Sequence, residues 1–258
     1  MKRPVFLFSI VLMFSLLAGC SKMNVAGVTA AIYQEVPEGY GSLAVNDGIT
    51  VEVSADNDMV EIVSDTNVLP YVEVYVQGGV LTIEYEAGVR FSGSYQTIVR
   101  IPHSRSMTSV KLRSGSVFAS DVIMESDSRL GFDGTAGSRF DISGIAANDM
   151  QLSLADGSAF LSGDVDVNNL SLSLTDGSYA AMDGHIAYCN AIMEDGASLS
   201  PRTSSYFEKP SLTVDRFNGN LSDGSKASFY SDGLLTGTLR DGSSVQCDGN
   251  AKHDLVIL

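Results

Sequence analysis

The sequence predicts an all-β protein, a right-handed parallel β-helix-like solenoid of about 20-residue coils with an N-terminal β-rich segment. One observation is a glycine-centred phrase, clearest as "LADGSAF" and "LTDGSYA", that recurs through the second half of the chain. A second is the alternation of apolar and polar residues around each copy, which is typical of half-buried strands. The anchoring glycines lie 22, 20, 20, 19, 28 and 18 residues apart, at Gly115, Gly137, Gly157, Gly177, Gly196, Gly224 and Gly242.

Each repeat is predicted to contain strands joined by glycine corners. Leu152 and Leu154 before Gly157 have the spacing of inward-facing strand residues. Asp-Gly or Ser-Gly supplies the corner, because Gly adopts positive φ without steric cost. The 28-residue step predicts an insertion near Leu199 to Pro210, where prolines favour a loop.

The first residues predict export. Lys2 and Arg3 precede an apolar run from Val5 to Leu16, which is too short to span a bilayer comfortably and favours a cleaved signal peptide over residues 1–19. The ending "LLAGC" resembles the lipobox of bacterial lipoproteins, in which the cysteine, here Cys20, becomes the acylated first residue. The alternative is an ordinary signal peptide with an incidental cysteine. Residues 20–39 have no clear period and are interpreted as a tether.

Charge and the start of the tether bear on location and partners. The formal net charge of −15 offers no basic stripe for phosphates, so a nucleic-acid partner is excluded.

Ser21, Lys22, Met23 and Asn24 follow Cys20, where acidic residues would signal surface display in Bacteroides-like bacteria. We therefore expect an outer-membrane lipoprotein on the periplasmic face rather than on the cell surface.

The sequence pattern predicts an N-terminal β module over residues 40–105 and the β-helix repeats over residues 106–258. Ile49, Val51 and Val53 alternate with polar residues, as expected of a half-buried strand. Gly78-Gly79 suits a tight hairpin turn. No Pro- or Ser-rich linker separates the two parts, so residues 40–258 are expected to form one continuous unit.

Several segments of the sequence resemble the head GIN domain family, also called the putative autotransporter adhesin domain or DUF2807. This family is common in lipoproteins of Bacteroidetes. The pieces are "DTNVLPYVEV", "GGVLTIEY", the "IP" before the first Gly-Ser, and the Gly-Ser repeats. The resemblance implies a β-helical rod and an adhesion or surface role, and it implies no catalytic residue. The usual phrase in the family is Gly-Ser-Gly, and this chain departs from it by placing Asp first.

The repeats thus align a column of aspartates, which is the candidate metal-binding site. Its members are Asp156, Asp176, Asp195, Asp223 and Asp241. If the column is recessed, carboxylates on neighbouring coils repel one another and call for a cation such as Ca²⁺. If it is exposed, Asp is present because Asp-Gly makes the turn. The turn interpretation is favoured, and the phrase lacks the nine-residue spacing of calcium-binding β-rolls.

Other reactive residues are scattered. His103, His185 and His253 occupy unrelated phases of the repeat and predict no metal site or triad. Cys189 and Cys247 fall at inward positions two coils apart, so two buried free thiols are favoured over the disulfide that an oxidising compartment would permit.

The sequence thus predicts a non-enzymatic, lipid-anchored cell-envelope protein, an adhesin or binding scaffold whose partner is a glycan or an envelope or surface protein. One alternative is a polysaccharide-acting β-helix enzyme, which needs a base beside grouped carboxylates. Another is a calcium-stabilised structural lipoprotein. The basic residues of the repeats share no phase, which disfavours the enzyme: Arg139, Arg202, Arg216, Lys226 and Arg240.

Overall fold

A computed structural model describes residues 21–25, 27–56, 58–203 and 211–258. These residues form strands and one short 3-10 helix, Leu69–Tyr71. The strands are β1 (Ser21–Asn24), β2 (Thr29–Gln34), β3 (Ser42–Val45), β4 (Thr50–Ser54), β5 (Val60–Asp65), β6 (Val72–Gln77), β7 (Val80–Tyr85), β8 (Val89–Ser92), β9 (Ile98–Pro102), β10 (Ser109–Leu112), β11 (Val117–Gly134), β12 (Arg139–Leu154), β13 (Ala159–Leu174), β14 (Tyr179–Met193), β15 (Ser198–Pro201), β16 (Leu212–Leu221), β17 (Lys226–Tyr230), β18 (Leu234–Leu239), β19 (Ser244–Asp248) and β20 (Lys252–Ile257).

The all-β prediction is confirmed. The long strands β11 to β14 pair in parallel, each with the next along the chain. Their register brings equivalent repeat positions side by side, so that Phe140 lies between Phe118 and Phe160. Because a parallel pair requires a crossover of a dozen or more residues, a period near twenty suits this pairing.

The core is a continuous apolar interior. Phe118, Phe132, Phe140 and Phe160 are fully buried, with ring centroids 5.2 to 6.4 Å apart. Such tilted and edge-to-face contacts are the favoured arrangement of aromatic rings. Within the described ranges, no helix has both the length and the apolarity needed to cross a membrane.

The N-terminal module joins the repeats through shared strand pairings. β3 pairs in parallel with β10 and β7, and β4 pairs in parallel with β11 and β9. Antiparallel strands then extend the sheet, with β6 on β7, β5 on β9 and β2 on β5. The hydrogen-bonded sheet therefore runs across the boundary expected at residues 105 and 106.

Part of the segment interpreted as a tether, residues 20–39, is paired as strands. β1 pairs in parallel with β8, and β2 pairs antiparallel with β5, from Thr29 beside Asp65 to Gln34 beside Val60. The sequence does not show β2, because none of its side chains is fully buried and it carries no apolar alternation. Backbone hydrogen bonds to a neighbouring strand hold it instead. Cys20 and the predicted signal peptide lie outside the described residues.

The insertion begins later than predicted. Leu199 is buried in β15, which ends at Pro201. Proline is tolerated there because the strand ends and needs no further donor. The chain rejoins the stack at Leu212, which pairs with Gly184 of β14. Residues 204–210 lie outside the described part of the chain.

Candidate functional site

The five candidate aspartates all occupy the same corner position. Their φ angles lie between 50° and 54°, and the glycine after each also has positive φ. Positive φ at both central residues defines a type I′ turn, for which Asp-Gly is a preferred pair. The turn closes in the usual way, with the Ser178 amide donating to the Thr175 carbonyl at 3.0 Å. Asp stands here because it tolerates this conformation better than most residues.

The corners are also joined to one another by their backbones. The Gly177 amide donates to the Asp195 carbonyl at 2.9 Å, and the Gly196 amide donates to the Asp223 carbonyl at 2.9 Å. Each aspartate thus accepts, with its main-chain oxygen, a hydrogen bond from the glycine of the preceding corner, while its side chain is exposed. Among the residues that the structure describes, no group of three or more His, Cys, Asp or Glu is arranged to hold a metal ion. Calcium binding by these aspartates stays the disfavoured alternative, and a test of it is given below.

A serine lies behind most corners. Ser178 is fully buried, and its hydroxyl donates to the Leu154 carbonyl at 3.0 Å. Ser116 and Ser138 are buried at the same position and donate to backbone carbonyls. The serine of the repeated phrase is therefore a structural group, held inside by hydrogen bonds.

The three histidines lie at separate places in the fold. His185 is exposed, with Nε2 3.0 Å from Asp215 Oδ2 and Nδ1 3.9 Å from Asp166 Oδ1. His253 lies on β20, and His103 follows β9. The three rings are on separate elements.

Two of the scattered arginines do converge. Arg139 Nη2 lies 3.1 Å from Asp141 Oδ2, and Arg202 Nη2 lies 3.0 Å from Asp141 Oδ1. Each side chain of this trio is about a third or more exposed, so the pairing contributes little to stability. Repeat phase did not reveal it, because Arg202 lies beyond the end of β15, outside the regular pattern.

The two cysteines of the repeats are free thiols on separate strands. Cys189 is buried in β14, and burial raises the pKa of its thiol to about 12. Cys247 lies on β19, half-buried, and burial is also the main cause that raises its pKa. Both thiols are thus disfavoured as thiolates at neutral pH.

A surface that the sequence interpretation missed lies on the outer side of the strands that precede each corner. We call its centre the polar row. The row lies in register on β12, β13, β14, β16 and β18, each paired with the next, and consists of Gln151, Ser171, Asn190, Asn218 and Thr236. Asn218 Nδ2 donates to Asn190 Oδ1 at 2.9 Å, and Thr236 Oγ1 donates to Asn218 Oδ1 at 3.1 Å. These five side chains carry no charge, although the chain as a whole is strongly acidic. The next position in register beyond Thr236 is Asp254 on β20.

The rows on either side complete what we call the polar face. One is Asp149, Asn169, Tyr188, Arg216 and Leu234, and the other is Ser153, Ser173, Ile192, Asn220 and Thr238. Only Asp149 and Arg216 are charged on the face. Tyr188 and Ile192 are 39 % and 46 % exposed. The face therefore offers amide and hydroxyl groups flanked by an aromatic ring.

A signal for the polar row does exist in the sequence. Every member stands six residues before an anchoring glycine, as Gln151 does before Gly157. Apolar periodicity draws attention to the inward positions, and the outward positions between them differ in identity from copy to copy. Only the strand register shows that they form one surface.

The family model of the putative auto-transporter adhesin, head GIN domain (DUF2807) matches residues 39–251. The chain belongs to this family. The match confirms the resemblance found in the sequence. No curated protein matches the chain significantly.

Solved structures share the fold. A putative adhesin from Parabacteroides distasonis is 14 % identical, with a TM-score of 0.73 over 92 % of this chain and 100 % of that one. A putative lipid binding protein from the same species is 12 % identical, with a TM-score of 0.76 over 92 % and 96 %. A putative adhesin from Parabacteroides merdae is 13 % identical, with a TM-score of 0.67 over 92 % and 99 %. At these identities the likeness concerns the fold alone.

Proposed function

We propose that the protein is a non-enzymatic, lipid-anchored binding scaffold of the cell envelope, with the adhesin fold, that binds a neutral, hydroxyl-rich glycan on the polar face. The observation that carries the proposal is the uncharged polar row, aligned over five parallel strands of an otherwise acidic chain. Membership of an adhesin family and the likeness to two proteins described as putative adhesins support it.

The architecture suits this role. We infer that the parallel stack winds as a right-handed β-helix, the hand that parallel crossovers adopt in nearly all cases. Stacked strands lie about 4.8 Å apart, so five of them present a row roughly 19 Å long, the length of several sugar rings. Extended surfaces of this kind are what repeat proteins use for binding.

The chemistry of the face matches a neutral saccharide better than an acidic one. Amide and hydroxyl side chains both donate and accept, as sugar hydroxyls do. Tyr188 supplies an apolar ring with a polar end, a residue type favoured in recognition surfaces. An acidic glycan would meet the negative field of a chain with net charge −15.

The anchor is proposed at Cys20, acylated after removal of residues 1–19, with the protein on the periplasmic face of the outer membrane. The lipobox-like "LLAGC" supports the anchor, and the absence of acidic residues in "SKMN" supports the face. Mass spectrometry of the mature N-terminus tests acylation. Protease shaving of intact cells tests the face, since cleavage before the outer membrane is breached would place the protein on the cell surface.

Glycan binding is tested by calorimetry against a panel of neutral and acidic polysaccharides. We expect Tyr188→Ala and Asn190→Asp each to weaken binding of a neutral glycan by about 10-fold, since a lost contact or a misplaced charge costs on the order of 1.4 kcal/mol. Tyr179→Ala is the matched control, because Tyr179 is 37 % exposed but lies at the start of β14, directly after the Asp176–Gly177 corner and outside the polar face. Equal losses in all three variants, or binding only of acidic chains, would contradict the proposal.

A further inference from the structure

The residues immediately after Cys20 are held against the body of the protein. β1 and β8 form their own two-stranded parallel sheet, with Ser21 beside Val89 and Lys22 beside Arg90. The Val25 amide extends the pairing by donating to the Ser92 carbonyl at 2.9 Å. The position of the proposed lipid is therefore one residue, about 3.8 Å of chain, from a strand that belongs to the fold.

β8 is fixed in turn by aromatic packing. The Phe91 ring centroid lies 5.0 Å from that of Tyr85, 5.3 Å from Tyr95 and 6.0 Å from Tyr71, all edge-to-face. The Tyr85 hydroxyl donates to Oγ1 of the buried Thr97 at 2.7 Å. These contacts attach the β1–β8 pair to the first strands of the main sheet. The pair is therefore part of the folded domain and does not form a flexible linker.

The opposite side of the same pair is basic. Side chains alternate between the faces of a strand, so Lys22 and Arg90 point away from the face that carries Phe91. Both are exposed, and neither enters an ion pair with an acidic residue in the described ranges. Like charges directly opposite on neighbouring strands repel each other. In a chain of net charge −15, this pair is complementary to an external anion.

We propose that Lys22 and Arg90 contact the anionic phospholipid headgroups of the membrane that holds the lipid on Cys20. The inference rests on the lipid anchor of the proposed function. It places the β1–β8 pair against the membrane and holds the domain in one orientation. Two cations at an anionic surface favour the docked orientation by roughly 30-fold, and salt weakens the contact because the charges are exposed.

Hydrogen exchange of the acylated protein in vesicles tests this contact. Vesicles of phosphatidylcholine alone are compared with vesicles that also contain phosphatidylglycerol. We expect amides of residues 21–25 and 89–92 to exchange more slowly on the anionic vesicles, by up to roughly 30-fold, and the difference to vanish at high salt.

Matched charge variants show whether Lys22 and Arg90 cause the slower exchange on anionic vesicles. Lys22→Gln with Arg90→Gln should remove the difference between the vesicles. Lys226→Gln with Lys252→Gln should keep it, because this pair changes the net charge equally from exposed positions on β17 and β20. Equal exchange on both vesicles, with Cys20 shown by mass spectrometry to be acylated, overturns the inference and leaves the anchor standing. An unacylated Cys20 overturns both.

Discussion

The backbone amide of Gly157 donates a hydrogen bond to the carbonyl oxygen of Asp176, 2.9 Å away in the next corner. The bond uses the main chain of the aspartate and leaves its carboxylate in solvent. Repeated from corner to corner, this contact gives the Asp-Gly phrase a structural role that needs no ligand. It also makes the role of the carboxylates separable from that of the turns.

We predict that replacing the five corner aspartates with Asn leaves the fold intact and does not lower the Tm. Asn also tolerates positive φ in type I′ turns, and the change removes a repulsion of roughly 0.8 kcal/mol per neighbouring pair in water. For the same reason, the Tm of the unaltered chain should be equal in EDTA and in millimolar calcium. Scanning calorimetry measures both. A calcium-dependent rise in Tm that disappears in the Asn variant would instead establish the carboxylates as calcium ligands.

Two glycines of one repeat should differ sharply on replacement by Ala. A methyl group on Gly177 meets no atom within 4 Å, so Gly177→Ala carries only the cost of left-handed φ, about 1–2 kcal/mol. A methyl group on Gly184, where φ is 120°, collides with the backbone of Val165 on the neighbouring strand. We expect Gly184→Ala to lower the free energy of unfolding by more than Gly177→Ala, measured by urea denaturation. Equal losses would contradict the close strand approach at Gly184.

The corners could be predicted from the sequence because their cause is local. Asp-Gly specifies its own backbone conformation, and Leu152 and Leu154 show their shared face by spacing alone. The polar row could not be recognised, since Asn190 and Asn218 become neighbours only through the register of β14 with β16. β1 was also missed, because its pairing depends on β8, and β8 is positioned by the ring of Phe91 far along the chain.

Phe140 is expected to be a major contributor to stability. It is fully buried and contacts Phe118, Phe132 and Phe160, so Phe140→Ala opens a cavity and should lower the free energy of unfolding by about 3–5 kcal/mol. Phe140→Leu should lower it less, because it fills part of the volume. Guanidinium denaturation gives the values, with Tyr179→Ala as an exposed control within about 0.5 kcal/mol of the parent. A loss for Phe140→Ala no larger than that of the control would contradict the aromatic core.

The two cysteines of the repeats should differ in reactivity. Burial raises the pKa of Cys189 to about 12, so its thiolate fraction at about pH 8 is on the order of 10⁻⁴, and the buried sulfur is shielded from reagent. Cys247 is half-buried, and its Sγ lies 3.7 Å from the Ser231 carbonyl oxygen. We therefore expect iodoacetamide to label Cys247 in the native protein, and Cys189 only after unfolding, as located by peptide mapping.

The sign of the pH dependence follows from the same pKa shifts. Both are raised, so native labelling of Cys247 should still be increasing at a pH where an ordinary thiol has reached its plateau. Cys247→Ser should abolish native labelling while leaving Cys189 available in denaturant. Labelling of Cys189 in the folded chain at the rate of Cys247 would show that β14 opens to solvent, which the continuous pairing of β14 with β13 and β16 argues against.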